Sequence, residues 1–361
     1  MAAPITIADY ESLARARMDP GAFDYYAGGA GDEQTLAANR AAFSKVFLRP
    51  RVLGGVGTVD LSLELLGSQL AMPVLLAPTA FHRLAHSEGE LATARAAGAA
   101  GTILCVSTVS TFPLEEIAAA ATGPLWFQLY VYKDRGLTED LVRRAERTGY
   151  RALVLTADTP KLGSRERDLR NAFQLPEGIT LANFSATHPL VSNPGPKGGH
   201  AHFQSYVQYL FDDSLTWDAI TWLRSITRMP ILVKGVLTPE DARLAVQAGV
   251  AGIIVSNHGG RQLDGAESTL RALPRVADAV AGAVPVLMDG GVRRGADVLK
   301  ALALGARAVL IGRAYLWGLA VEGEAGVRHV LELLRAELEL AMALSGTPTI
   351  ASIARSLVTS E

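Results

Sequence analysis

Between residues 256 and 264 the chain reads Ser256-Asn257-His258-Gly259-Gly260-Arg261-Gln262-Leu263-Asp264. A histidine beside two glycines and three residues before an arginine can combine proton transfer with anion binding. A lone histidine is more often structural or solvent-facing, so its neighbours decide the reading. With Asp158 near it, a carboxylate would fix the imidazole tautomer and stabilise its protonated form, which suits a general base. Arg261 and Arg165 are candidates to hold a carboxylate, because a guanidinium pairs with it through two parallel hydrogen bonds. Arg165 lies in the charged run Ser164–Arg170, and such runs usually form solvated faces. Lys234 directly follows Pro230-Ile231-Leu232-Val233; a lysine buried there needs an anionic partner.

A second group reads as an anion cradle. Asp289-Gly290-Gly291-Val292-Arg293 and, further on, Gly312-Arg313 bring glycines, whose main-chain N–H groups can approach a phosphate, next to basic side chains and helix starts. Gly-rich turns with solvated arginines are the bland alternative. A metal site is not expected, since the seven histidines are scattered and no His/Asp/Glu set has ligand spacing.

These residues need a frame, and the apolar pattern supplies one. From position 73 onward short runs of Val, Ile and Leu alternate with longer helix-like stretches: Pro73–Ala80, Thr102–Ser107, Leu125–Val131, Ala152–Asp158, Pro230–Gly235, Gly252–Gly259, Pro285–Gly291 and Ala308–Arg313. Near-continuous apolarity marks parallel strands buried on both faces. Between them, Thr238-Pro239-Glu240-Asp241 opens a helix and Ala248-Gly249 closes it; Gly149 and Gly305 repeat that stop. Eight such units without Gly-x-Gly-x-x-Gly after the first strand predict an α/β fold, a (β/α)8 barrel rather than a doubly wound sheet. Catalytic groups then belong at the C-terminal strand ends, where Gln128-Leu129-Tyr130, Thr156-Ala157-Asp158, Lys234, His258, Asp289 and Gly312-Arg313 all fall.

The expected organisation is one domain over 1–361. Residues 1–72 form an N-terminal, partly helical cover and residues 73–361 the barrel, with a lid-like insertion at 160–215 that contains the Gly/Pro/His stretch Asn193–His202. Val327, Val330, Leu331, Leu334, Leu338 and Met342 recur at helical spacing and read as packing. The formal charge of −2 leaves no basic surplus for nucleic acid. The single cysteine, Cys105, sits in an apolar run and reads as a core thiol. No basic, apolar leader begins the chain and no run approaches the roughly 20 residues that cross a bilayer, so a soluble cytoplasmic protein without a membrane partner is expected.

The stretch 256–264 strongly resembles the signature of the FMN-dependent α-hydroxy-acid oxidases and dehydrogenases, to which glycolate oxidase, lactate oxidase, mandelate dehydrogenase and hydroxymandelate oxidase belong. The likeness extends to Tyr25-Tyr26, Pro78-Thr79-Ala80, Gln128-Leu129-Tyr130, Leu155–Arg165, Val233-Lys234-Gly235, Asp289–Gly295, Ile311-Gly312-Arg313 and Ala343-Leu344-Ser345-Gly346. It implies FMN as cofactor and a catalytic set of His258, Asp158, Tyr130 and Lys234. His258 would be the base paired with Asp158, and Tyr130 would bond the substrate hydroxyl. Arg261, Arg165 and Tyr25 would hold the carboxylate, and Lys234 would stabilise charge on the flavin. FMN would meet Pro78, Thr79, Ala80, Ser107, Gln128, Thr156, Lys234 and Ser256, with its phosphate end near Asp289, Gly290, Gly291, Val292, Arg293, Gly312 and Arg313.

A homotetramer is implied too, as is oxidation of a small 2-hydroxy acid by O2 with release of H2O2. A dehydrogenase with another acceptor, a decarboxylating monooxygenase, a non-redox phosphate-binding barrel and a non-catalytic flavin carrier remain alternatives. The resemblance departs at Val109, where plant glycolate oxidase carries a pocket-lining Trp, and at Phe81 and His82. Those departures bear on substrate identity.

Overall fold

Hydrophobic alternation explains most of the architecture of the computed structural model, which describes residues 3–184 and 210–360. Eight short strands form a closed parallel barrel. They are β1 Val74–Leu76, β2 Leu104–Val106, β3 Leu125–Leu129, β4 Leu153–Thr156, β5 Ile231–Val236, β6 Gly252–Val255, β7 Val286–Asp289 and β8 Ala308–Ile311. All but β5 are shorter than the apolar runs that signalled them, because the last residues of those runs leave the hydrogen-bonded ladder to form the rim; β5 instead runs one residue past its run, to Val236. A helix follows each strand: Gly89–Ala99, Leu114–Ala120, Arg135–Arg147, Asp218–Ile226, Pro239–Gln247, Thr269–Val280, Gly295–Ala303 and Arg313–Ser345, the last broken by a kink at Glu322-Gly323. Thr238 caps its helix by accepting from Asp241 N–H at 3.1 Å, as the Thr-Pro-Glu-Asp start predicts.

Two apolar layers result. Leu75, Cys105, Trp126, Val154, Leu232, Ile254, Leu287 and Leu310 point into the barrel, while the strands' other faces pack on the helices. The hairpin Leu63–Leu65/Ser68–Leu70 adds Leu63, Leu65 and Leu70 to the inner cluster and so closes one barrel end. Cys105 is a free, buried thiol whose pKa burial pushes up. Val327, Val330, Leu331, Leu334, Leu338 and Met342 are fully buried, on a helix that packs against Ile7–Arg17, Gly89–Ala99 and Gly295–Ala303.

The N-terminal region does two jobs, where the sequence suggested one cover. Besides the hairpin plug, helices Ile7–Arg17, Pro20–Ala27 and Gln34–Ser44 bring Tyr25, Tyr26 and Asn39 to the opposite, C-terminal end of the strands. Buried Asn39 exchanges side-chain hydrogen bonds with Asn257 at 2.8 Å in both directions. Within 160–215, Glu166–Arg170 is helical and Phe211 bridges to Tyr132; Asn193–His202 lies outside the described residues.

Candidate active site

Side chains two apart on a strand share a face, so the inward series continues upward from the apolar layer. Trp126 is followed by Gln128, Val154 by Thr156, Leu232 by Lys234, Ile254 by Ser256, Leu287 by Asp289 and Leu310 by Gly312. The top layer of the barrel interior is thus polar, and its side chains bond in two groups. Gln128 Nε2 donates to Thr156 Oγ1 at 3.0 Å, and Gln128 Oε1 accepts from Thr108 N–H at 3.2 Å and Ser107 Oγ at 3.3 Å. Lys234 Nζ donates to Ser256 Oγ at 2.8 Å and pairs with Asp289 Oδ2 at 3.1 Å. The anion that buried Lys234 requires is therefore supplied by the protein itself. Burial opposes its charge, but Asp289 and Asp158 outweigh burial and raise its pKa.

Above this floor opens a cavity lined by every expected cofactor and substrate residue except Ser256. Ser256 lies behind Lys234, where its hydroxyl also accepts from His258 N–H at 3.1 Å. Asp158 likewise stands behind the wall, with Oδ1 2.9 Å from His258 Nδ1. An ionised carboxylate only accepts, so Nδ1 keeps its proton and donates it in a hydrogen bond to Asp158, leaving Nε2 with its lone pair. Gly235 permits this approach: at φ +111° its missing Cβ would lie 2.6 Å from Asp158 Cβ. His258 adopts φ +58°, a left-handed conformation uncommon for a non-glycine residue. Burial, with the charges of Lys234 and Arg165 adding to it, lowers the pKa of His258 below its ordinary value against the opposing pull of Asp158. For Asp158, burial pushes upward, but His258 and Lys234 prevail and hold the carboxyl below its ordinary range.

Cations and phenols gather beside the imidazole. Arg165 is buried with Nε unpartnered among the described residues, although its neighbours Glu166 and Arg170 form an exposed pair. The charged run thus has two faces, and the expected solvated face does not include Arg165. The Arg261 guanidinium lies 5.1 Å from the Tyr25 ring centroid; its pKa is lowered to about 10, first by burial and then by Arg165. Burial, then the Asp158 charge, pushes Tyr130 up to about 12, which keeps its hydroxyl a proton donor. Tyr25 stacks on Phe173 at 4.8 Å and Tyr130 on Phe211 at 4.5 Å.

Phe173, Phe211 and Leu162 line the cavity but went unread in the sequence. Their only signal was apolarity, which other residues of the insertion such as Leu169, Leu175 and Ile179 share.

At the other end Gly290 and Gly291 turn the chain toward Arg293. The nearest carboxylate to the Arg293 side chain in an ion pair is Glu11, at 4.0 Å; burial lowers the pKa of Arg293 despite Glu11. Arg165, Arg261, Arg293, Arg313 and Lys234 line the cavity against one carboxylate, Asp289. The excess of buried positive charge fits a ligand carrying a phosphate together with a carboxylate substrate. The unpartnered Arg165 Nε and Asp289 Oδ1 mark where polar groups of such ligands would be received. No cluster able to hold a metal ion occurs among the described residues, and none of their helices is long and apolar enough to cross a membrane.

Fold and site together define a (β/α)8-barrel enzyme with a His–Asp pair beside a cationic, phosphate-type cavity. The chain belongs to the FMN-dependent dehydrogenase family, whose pattern it matches over residues 14–360. It is 52% identical to glycolate oxidase 1 of Oryza sativa subsp. indica over 349 residues, 97% of this chain and 94% of the rice protein. It is also 52% identical to glycolate oxidase of Spinacia oleracea over 353 residues, 98% and 95% of the two chains. Among solved structures, mandelate oxidase with (S)-4-hydroxymandelic acid aligns with a TM-score of 0.93 at 44% identity, covering 99% of both chains.

Proposed function

We propose that the protein uses FMN to oxidise small (S)-2-hydroxy acids to 2-oxo acids and passes the electrons to O2, forming H2O2. One observation carries the reading: the imidazole of His258, freed at Nε2 by Asp158, opens into the cavity that also holds Arg165 and Arg261. FMN supplies the two-electron acceptor. The loop Pro78–Ala80 with Ser107, Gln128, Thr156 and Lys234 would hold its ring system, and Asp289–Arg293 with Gly312-Arg313 its phosphate end. Arg165, Arg261 and Tyr25 hold the substrate carboxylate, and Tyr130 donates to the hydroxyl oxygen. His258 Nε2 takes a proton as the α-carbon gives up two electrons, and the imidazolium formed is stabilised by Asp158. Anaerobic addition of a 2-hydroxy acid is expected to bleach the yellow holoenzyme, and air to restore the colour with stoichiometric H2O2. Turnover with a dye but scarcely with oxygen would indicate a dehydrogenase; a decarboxylated product would indicate a monooxygenase.

Arg293 should govern cofactor retention. Charge-assisted hydrogen bonds to phosphate contribute about 1.5–3 kcal/mol, so Arg293→Ala is expected to weaken FMN binding roughly 10- to 100-fold. Fluorescence titration of apoprotein checks this, and an unchanged affinity would remove Arg293 from the phosphate site.

Substrate size follows from Val109, which lines the cavity with Phe81, Tyr25 and Phe173. A valine leaves far more room than a tryptophan would, and the aromatic rings supply an apolar wall. Lactate and aryl acids such as mandelate should be oxidised at least as well as glycolate. A methylene held in an apolar pocket contributes about 1–3 kcal/mol of discrimination, so Val109→Trp should shift kcat/KM toward glycolate. An unchanged ranking would show that Val109 does not set the size.

The reading extends to one domain over 1–361, supported by a single apolar cluster that runs from Ile7 to Leu357. It also extends to a cytoplasmic homotetramer. The lone buried thiol suits a reducing compartment, and light scattering of the purified protein tests the oligomer.

A further inference from the structure

Arg313 opens the helix Arg313–Ser345 at the phosphate end of the cavity, yet its guanidinium is turned toward main-chain oxygens. Nε donates to Tyr26 O at 2.7 Å, Nη1 to Gly259 O at 2.9 Å and Nη2 to Gly28 O at 2.8 Å. No carboxylate forms an ion pair with it among the described residues. Burial, then the charges of Arg261 and Arg293, pull its pKa well down. A buried cation in that setting is held by the carbonyl dipoles around it, and these come from two separate elements.

Tyr26 and Gly28 end the helix Pro20–Ala27 that carries Tyr25, and Gly259 belongs to the loop between His258 and Arg261. Arg261 converges on the same helix end and shares Gly28 O, with Nη1 donating to it at 2.9 Å and to Tyr25 O at 2.5 Å. The last carbonyls of a helix lack partners within it, and its dipole favours cations there. The planar guanidinium meets two carbonyls at that helix end and Gly259 O through three separate nitrogens, where a lysine offers all its donors on a single compact nitrogen.

We propose that Arg313 is a positioning residue for the substrate carboxylate. Its guanidinium clamps the end of helix Pro20–Ala27 to the His258–Arg261 loop and so sets Tyr25 and Arg261 in their binding geometry. The phosphate of the cofactor is then met by the Arg293 side chain and by the main chain at the Gly312-Arg313 helix start. This inference rests on the functional reading given above and divides the two arginines of the phosphate end into different tasks.

The test compares Arg313→Lys with Arg293→Ala in holoenzyme and apoprotein. Hydrogen bonds to charged groups decide the size of the effect. For Arg313→Lys, KM for lactate and the Kd of pyruvate, read from perturbation of the oxidised flavin spectrum, should rise roughly 10- to 100-fold. The FMN affinity of the apoprotein should change by less than about tenfold, since a helix start offers its N–H groups whatever its side chain, and kcat should fall less than KM rises. Arg293→Ala should show the reverse pattern. Because Arg313 acts through Arg261, its effect on KM should largely vanish in an Arg261→Lys background.

Loss of FMN affinity with unchanged pyruvate binding overturns the proposal, as does full additivity with Arg261→Lys. If Arg313→Lys does not fold, Gly259→Ala replaces it: the added Cβ would lie 2.9 Å from Arg313 Nη1, and the same rise in KM and pyruvate Kd is expected. A wild-type holoenzyme that no 2-hydroxy acid reduces would refute the functional reading itself. Normal wild-type turnover with the Arg313 pattern reversed would refute this inference alone.

Discussion

Replacing His258 by Ala is expected to slow flavin reduction about 10²- to 10⁴-fold, the usual contribution of a positioned general base, while FMN binding stays close to wild type. The imidazole reaches the cavity from the rim and takes no part in the polar floor, apart from its main-chain bond to Ser256. Anaerobic stopped-flow reduction measures the effect directly, and a rate near wild type would remove His258 from the mechanism. The pH profile carries a second, independent sign. The base is active when neutral, so kcat/KM should be retained above its pKa and lost as pH falls through it. Because burial lowers that pKa from its ordinary value, the acidic limb should lie below that of an unperturbed histidine. Asp158 pulls the other way, so Asp158→Asn should move the limb to still lower pH while depressing the plateau. A limb that moves upward would contradict the assigned pairing.

The barrel was legible because parallel strands buried on both faces write themselves as continuous apolar runs, and because the helices between them carry caps such as Thr238-Pro239 and stops such as Gly249. The rim was legible for a related reason. Gln128, Thr156, Lys234 and Asp289 interrupt apolar strands at one end, and polar atoms appear there only where something must receive them. Convergence across the fold was not legible. His258 and Asp158 lie 100 residues apart; their shared place at C-terminal strand ends made them candidate neighbours, and the likeness to a known family then assigned the pair.

Arg165 shows the limit of reading charge runs: Glu166 and Arg170 reach solvent while Arg165, next to them in the chain, turns inward. Periodicity cannot reveal this, because the turn of the insertion over the cavity decides it. Asn39, Phe173 and Phe211 were invisible for the same reason, since each acts through a contact with an element distant in sequence. The guanidinium of Arg313 is the subtlest case. Its place after β8 puts it in the cavity wall beside Gly312, but the carbonyls that hold it belong to residues 26, 28 and 259.

Lys234→Met should have the largest combined effect on stability and turnover. Lys234 and Asp289 are both nearly enclosed, with side chains 5% and 9% exposed, and their charged atoms lie 3.1 Å apart. Removing one partner of a buried pair strands the other charge, at a cost of about 3–5 kcal/mol. Asp289 is poorly placed to recover, since its Oδ1 already lacks a partner among the described residues. Denaturant unfolding of the apoprotein should therefore show a large loss for Lys234→Met. The double variant Lys234→Met/Asp289→Asn should regain most of it, because the stranded charge is gone. Turnover should behave differently. On the proposed reading Lys234 would stabilise negative charge on FMN as it is reduced, and preorganised groups of this kind contribute about 10²- to 10³-fold in rate. The double variant restores the fold's charge balance without restoring that ammonium, so flavin reduction should remain slow in it. If stability and reduction rate recovered together, Lys234 would be a structural partner of Asp289 and nothing more. Recovery of stability alone assigns it to the chemistry.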